Sequence, residues 1–314
     1  MIFKGFVVGA YAASPAHRVW DETAELDFYS ALENIRDIGA LELPWMGSIH
    51  PHNPSWLARH LPTRFGAVIT DVPHVMGRLA QDSFYGLASS SEEGRSAALA
   101  DALRMRDDID AFNNATGRKV VGAVELHSAP QVQGGAADAL KRSLAELSSW
   151  DWSGAQLVIE HCDAWRDTHA PEKGFLELSE EVAAIENSGT GVGVALNWGR
   201  SVIEGRSVTT AVEHARMARE HGLLRGFIAS GVSAEETDFG YAWIDAHLPF
   251  APSSITPSGI RSSLMTVANI ARVLNEADGV DWLGVKVGSL THATMAQRVA
   301  VVQEAVAALS LALA

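Results

Sequence analysis

Eight short apolar runs, separated by stretches with the period of a helix, restrict this chain more than any other feature. They are Gly5–Ala10, Ala40–Pro44, Gly66–Thr70, Lys119–Leu126, Ala155–Glu160, Val192–Asn197, Leu224–Ser230 and Trp282–Val287. Most are apolar on both faces, as parallel strands covered on both sides require. Between them, Phe28, Leu32, Ile35 and Ile38 share one helix face, with Gly39 placed as a stop. Leu140, Leu144 and Leu147 make a second stripe, and Leu178, Val182 and Ile185 a third that Gly189 closes. Val208, Val212 and Ala215 follow, with Ser207 as N-cap and Gly222 as stop. Two more stripes run through Leu264–Leu274 and Val299–Leu313. Strands alternating with helices predict an α/β fold, a (β/α)8 TIM barrel in one domain over residues 1–314. A doubly wound open sheet is the competing arrangement. It lacks its usual warrant, since no GxGxxG follows the first strand and no GxxxxGK[ST] occurs. Long loops are predicted at about 77–96 and 234–262; loops of that length are typically lids or disordered.

Charge excludes several function classes. Lys plus Arg number 24 and Asp plus Glu 38, a net charge of −14, which repels nucleic acid and anionic membrane. No stretch approaches the ~18 apolar residues of a membrane span. The start, MIFKGFVVGA, reads as a first strand rather than a signal peptide. The lone Cys162 permits no internal disulfide, which suits a cytoplasmic location, and it reads as a buried inert thiol. His50 and His52 read as exposed loop histidines.

In such barrels the active site lies at the C-terminal ends of the strands. The candidates there are Glu42 and Trp45 after the second run, Glu125 and His127 after the fourth, and Glu160 and His161 after the fifth. Asn197, Trp198, Arg200, Glu204 and Arg206 follow the sixth, Ser230 ends the seventh, and Lys286 lies in the eighth. Arg200 and Arg206 flank Glu204 in what reads as a glycine-punctuated loop, an arrangement suited to an acidic or phosphorylated substrate. Trp45, Trp165, Trp198 and Trp243 fall near strand ends or the second long loop, where aromatic faces could stack on sugar rings. Asp245 and His247 lie in that same loop.

Glu42 in LELPW, His127 in VELHSAP and Glu160 in LVIEHCD follow an order that resembles the xylose-isomerase-like TIM barrels, the sugar isomerase and epimerase superfamily. The resemblance is spread over the whole chain. It implies a divalent metal held by Glu, Asp, His and Glu from the fifth to eighth strands. Here Glu160, Asn197, Ser230 and Lys286 stand in those places. Three of the four depart, and a lysine repels a cation, so no metal or other cofactor is expected. A rearranged divalent-metal site of Glu160, His161 and Asp163 is the alternative, disfavoured because consecutive strand residues face opposite ways. The resemblance implies proton transfer on a sugar or sugar derivative. Glu160 is then the base, Lys286 the electrophilic stabiliser facing it, and His127 a second acid or base. Trp45, Glu125, His161, Asn197, Trp198, Arg200, Glu204, Arg206, Ser230, Trp243, Asp245 and His247 would position the substrate. Two alternatives stay open: glycoside cleavage by Glu125 or Glu160 with another carboxylate, and sugar binding without catalysis. The apolar last helix fits a homodimer or packing on its own barrel.

Overall fold

A computed structural model describes residues 1–131 and 133–314. Eight parallel strands close into a barrel in the order β1 to β8. They are β1 (Phe6–Val8), β2 (Ile38–Pro44), β3 (Gly66–Thr70), β4 (Val121–Leu126), β5 (Gln156–His161), β6 (Gly193–Asn197), β7 (Leu224–Ser230) and β8 (Trp282–Lys286). The outer helices are α1 (Glu22–Glu33), α2 (Pro54–His60), α3 (Val72–Leu79), α4 (Glu92–Thr116) and α5 (Ala137–Leu147). They continue as α6 (Leu178–Ser188), α7 (Trp198–Gly205), α8 (Val208–Glu220), α9 (Val267–Leu274) and α10 (Met295–Ala312). This is the TIM barrel predicted from the apolar runs. Among the described residues, no helix is long and apolar enough to cross a membrane.

Helix ends follow local chemistry. Asp21 accepts from the Ala24 N–H to start α1, and Ser207 accepts from the Thr209 N–H to start α8. Gly189 takes the left-handed conformation that ends α6. Two expectations fail. The first helix stops at Glu33, and Ile38 and Gly39 belong to β2. A Cβ on Gly39 would come within 2.8 Å of the Lys4 and Gly5 backbone, so this glycine allows the chain entering β1 to lie close against β2 rather than ending a helix. The stretch from Trp198 to Gly205 is a helix, α7, not a loop, because Asn197 caps it by accepting the Arg200 N–H at 3.4 Å. Of the two long connections, the first shrinks to residues 80–91, whereas 231–266 contains no helix or named strand. The final helix α10 packs against α9, α1 and β8, so its apolar face is accounted for within the chain.

The barrel interior sorts into layers, as expected of alternating side chains. Val7, Ala40, Val68, Ala123, Val158, Ala195, Ile228 and Trp282 form one wholly apolar cluster inside it. Two residues further along the strands, and four on β8, stand Gly9, Glu42, Thr70, Glu125, Glu160, Asn197, Ser230 and Lys286. Apart from Gly9 this upper ring is entirely polar, and its polar members are each 0–1% exposed.

Candidate active site

Lys286 passes close by β1 to reach the ring. A Cβ on Gly9 would lie 2.5 Å from Lys286 Cγ, so only a residue without a side chain leaves space for the lysine stem. Its ammonium bonds Glu42 Oε1 and donates to the Tyr11 hydroxyl at 3.2 Å. Glu160 is gripped from three sides. His127 Nε2 lies 2.8 Å from its Oε2, Arg200 Nη1 lies 2.6 Å from the same oxygen, and Asn197 Nδ2 donates to Oε1 at 3.3 Å. His127 Nδ1 is 2.5 Å from Asp71 Oδ1. Arg200 reaches in from α7 and also donates to Asp245 Oδ2 at 3.0 Å, an oxygen shared with Lys173. The expected pairing of Glu160 with Lys286 is therefore replaced: Lys286 binds Glu42, and Arg200 binds Glu160.

Burial and charge drive neighbouring carboxyls in opposite directions. Burial pushes the Glu160 carboxyl up, but Arg200, Lys286 and His127 together hold it well below the usual range. Burial, reinforced by Glu160 and Glu42, lifts the Glu125 carboxyl well above it. Neither Glu125 oxygen has a hydrogen-bond partner, nor do Glu42 Oε2 and Thr70 Oγ1. Burial opposes the His127 cation, yet Cys162, Asp71 and Glu160 beside the ring raise its pKa well above the ordinary value.

Above the ring lies a cavity of about 860 Å³ whose lining includes Tyr11, His17, Phe239, Asp245 and His247. The structure thus gathers Glu125, His127, Glu160, Asn197, Arg200, Ser230, Asp245, His247 and Lys286 at the barrel mouth. It places other expected residues elsewhere. His161 and Glu204 lie behind β5, because consecutive strand residues face opposite ways. Trp45 is buried with its Nε1 on Asp108 at 2.7 Å, and Trp198 is buried as the first residue of α7; neither lines the cavity. Arg206 stacks 4.7 Å above Trp243 and donates to the Ala170 carbonyl at 3.2 Å, also away from the cavity. His50 is buried, its Nδ1 accepting the Asn53 N–H at 2.9 Å. Cys162 is buried as expected. Tyr11, Asp71, Thr70 and Lys173 are site residues that the sequence reading missed.

The metal places of the superfamily do not fit an ion here. Glu160 is engaged by cations, Asn197 and Ser230 are neutral, and the Lys286 ammonium occupies the fourth place. Among the described residues, His161, Glu204 and His214 do group closely enough to hold a metal. Glu204, however, already accepts from the His161 ring, the Ala164 N–H and Arg166.

Known proteins match this chain in sequence and in fold. "Uncharacterized protein STM3670" of Salmonella typhimurium (strain LT2) is 36% identical over 277 residues, which cover 87% of this chain and 85% of that one. A xylose isomerase domain containing protein from Salmonella typhimurium LT2 superposes with a TM-score of 0.60 at 11% identity, covering 99% of this chain and 98% of its own. A D-allulose 3-epimerase from Methylomonas sp. superposes at 0.55 and 11% identity, covering 96% and 97%. At such identities the two structures show the fold, a xylose-isomerase-like TIM barrel. The family model described as "Domain of unknown function (DUF4862)" matches residues 7–301, and the chain belongs to that family.

Proposed function

We propose that the protein isomerises or epimerises a sugar or sugar derivative by proton transfer that needs no divalent metal. The observation that carries this reading is the contrast between two carboxyls on adjacent strands. Glu160 is gripped by His127, Arg200 and Asn197, whereas neither oxygen of the sealed Glu125 has a partner, so charge pulls the first carboxyl down and burial pushes the second up. Carboxyls whose environments push them apart in this way divide the work of base and acid. Glu160 takes the proton beside a carbonyl, and Glu125 returns one. Lys286 and Arg200 offset the negative charge that develops on the substrate oxygen. His127, fixed by Asp71, orients Glu160. Tyr11 lies against the ring, its hydroxyl 3.2 Å from the Lys286 ammonium and 3.4 Å from Glu42 Oε1.

The test uses the purified protein with a panel of ketoses, aldoses and methyl glycosides in deuterated water, followed by NMR. We expect carbon-bound hydrogen to exchange at one position, unchanged by chelator and with no stoichiometric metal. Glu160→Gln and Glu125→Gln should each lower the rate by about 10²–10⁴-fold. Normal turnover in both variants, or dependence on one metal per chain, sinks the reading. An acid beside a carboxylate also suits glycoside cleavage, so release of a reducing sugar would select that chemistry instead. Saturable binding without exchange would leave a sugar-binding protein.

A further inference from the structure

The connection after β7 is strained at one place. Trp243 and His247 both take left-handed backbone, with φ of 70° and 55°. For residues with a Cβ this costs about 1–3 kcal/mol each and persists only where surrounding bonds enforce it. Those bonds are present. The Trp243 N–H donates to the Ser233 carbonyl at 2.8 Å, the Asp245 N–H to Glu172 at 3.0 Å, and the Gly288 N–H to the His247 carbonyl at 2.6 Å. The result is a fixed imidazole on the cavity wall. Its Nδ1 lies 2.9 Å from Ser230 Oγ and 3.3 Å from Asp245 Oδ1. Among the described residues, its Nε2 makes no hydrogen bond. The ring is 16% exposed, whereas the charged ring members below are sealed.

We propose that His247 holds the substrate through Nε2, and that this substrate is a glycoside, a sugar extended by a second group, rather than a free monosaccharide. The proposal rests on the proton-transfer reading above and adds to it the ligand class and the gripping residue. Two features of the cavity support the class. Its ~860 Å³ lies near the top of the range for clefts that hold drug-sized ligands, more than a single sugar ring fills. Its wall also offers apolar faces for a second group: the Tyr11 and His17 rings, 5.3 Å apart, and Phe239. The state of the imidazole suits a neutral ligand. Burial first, then Lys286, Arg200 and Lys173, press its pKa down to about 3 against the pull of Asp245. It therefore meets a hydroxyl or carbonyl as an uncharged hydrogen-bonding group at neutral pH. Arg200 and Arg206 do not line the cavity. Of the two arginines that do, Arg298 is engaged by the carbonyls of Ala13, Leu290, Thr291 and Ala293, and Arg18 is exposed.

Calorimetry and ligand-observed NMR test this with methyl and 4-nitrophenyl glycosides and with the matching free monosaccharides. We expect at least one glycoside to bind about tenfold or more tightly than its monosaccharide, the worth of one further well-made contact. His247→Gln and His247→Ala should weaken that binding by about tenfold, with native circular dichroism and a cooperative melt. Equal affinity for glycoside and monosaccharide, or no glycoside bound by the wild type, overturns the ligand class. Wild-type affinity in both His247 variants overturns the gripping role. Failure of the proton-transfer reading looks different: a glycoside binds and His247 matters, yet no carbon-bound hydrogen exchanges.

Discussion

Strand β5 carries a buried polar cluster on each face, and the two differ in completeness. Outside the barrel, His161 lies between Glu181 at 2.7 Å and Glu204 at 2.9 Å, while Glu181 also binds Ser128. Glu204 further accepts the Ala164 N–H at 2.9 Å and binds Arg166. Among the described residues, no buried side-chain polar atom of His161, Glu181 or Glu204 is left without a partner. Inside the barrel, one residue earlier in the chain, Glu160 joins a ring in which Glu42 Oε2, Thr70 Oγ1 and both Glu125 oxygens have none. A matched cluster ties the barrel to its helices. An unmatched one stores polar groups that a ligand can satisfy, and unpaired buried groups persist in native proteins mainly where function requires them.

The largest effect should come from breaking the matched side. Glu204→Ala leaves the His161 cation buried without one of its two carboxylates and should cost about 3–5 kcal/mol in urea unfolding. Burial pushes Glu204 up, but the His161 bond and charge, with His214 and the Ala164 N–H, hold it well below the usual carboxylate range. Such a group stabilises the fold above its ordinary pKa, and that stability is lost as pH falls below it. The variant should therefore also have a flatter acid limb. On the unmatched side, Glu125→Gln exchanges one neutral group for another and should shift stability by under ~1 kcal/mol, while activity collapses. If Glu125→Gln unfolds the protein and Glu204→Ala does not, the contrast between the two faces is wrong.

Gly9→Ala probes the ring by crowding. The added methyl meets Lys286 at 2.5 Å and should cost about 1–3 kcal/mol, with a larger loss in turnover as the ammonium moves off Glu42. The smallest expected effect concerns Asp163, where burial pushes the carboxyl up to about 6 against Lys173 and its backbone N–H. A raised carboxyl stabilises the fold below its ordinary pKa and loses that contribution as pH rises through the folded value. Stability should thus drift down between about pH 4 and 6, and Asp163→Asn should remove the drift in a thermal melt series.

The barrel was legible because parallel strands buried on both faces leave unbroken apolar runs such as Leu224–Ser230. The lower inner layer was equally regular, and counting two residues on from it marks Glu42, Thr70, Glu125 and Glu160 as one ring. That count, not made from the sequence, was the signal for Thr70. Partners were illegible for a different reason. Tyr11 and Lys286 stand 275 positions apart, and nothing local to AYA or GVKVG announces their bond. The Glu160–Lys286 pairing failed likewise, since α7 brings Arg200 into the mouth only once NWGR is known to be a capped helix. His161 and Glu204 were drawn into the site by neighbourhood in sequence, although strand alternation sends them to the far side.

The lysine and the glycine it needs are locked together across the whole length of the chain. A Lys at 286 is of use only where position 9 is bare, and a side chain at 9 leaves space for nothing longer than a short residue at 286. In this barrel the two positions act as one unit: the bare position 9 is what lets an ammonium be built into the ring.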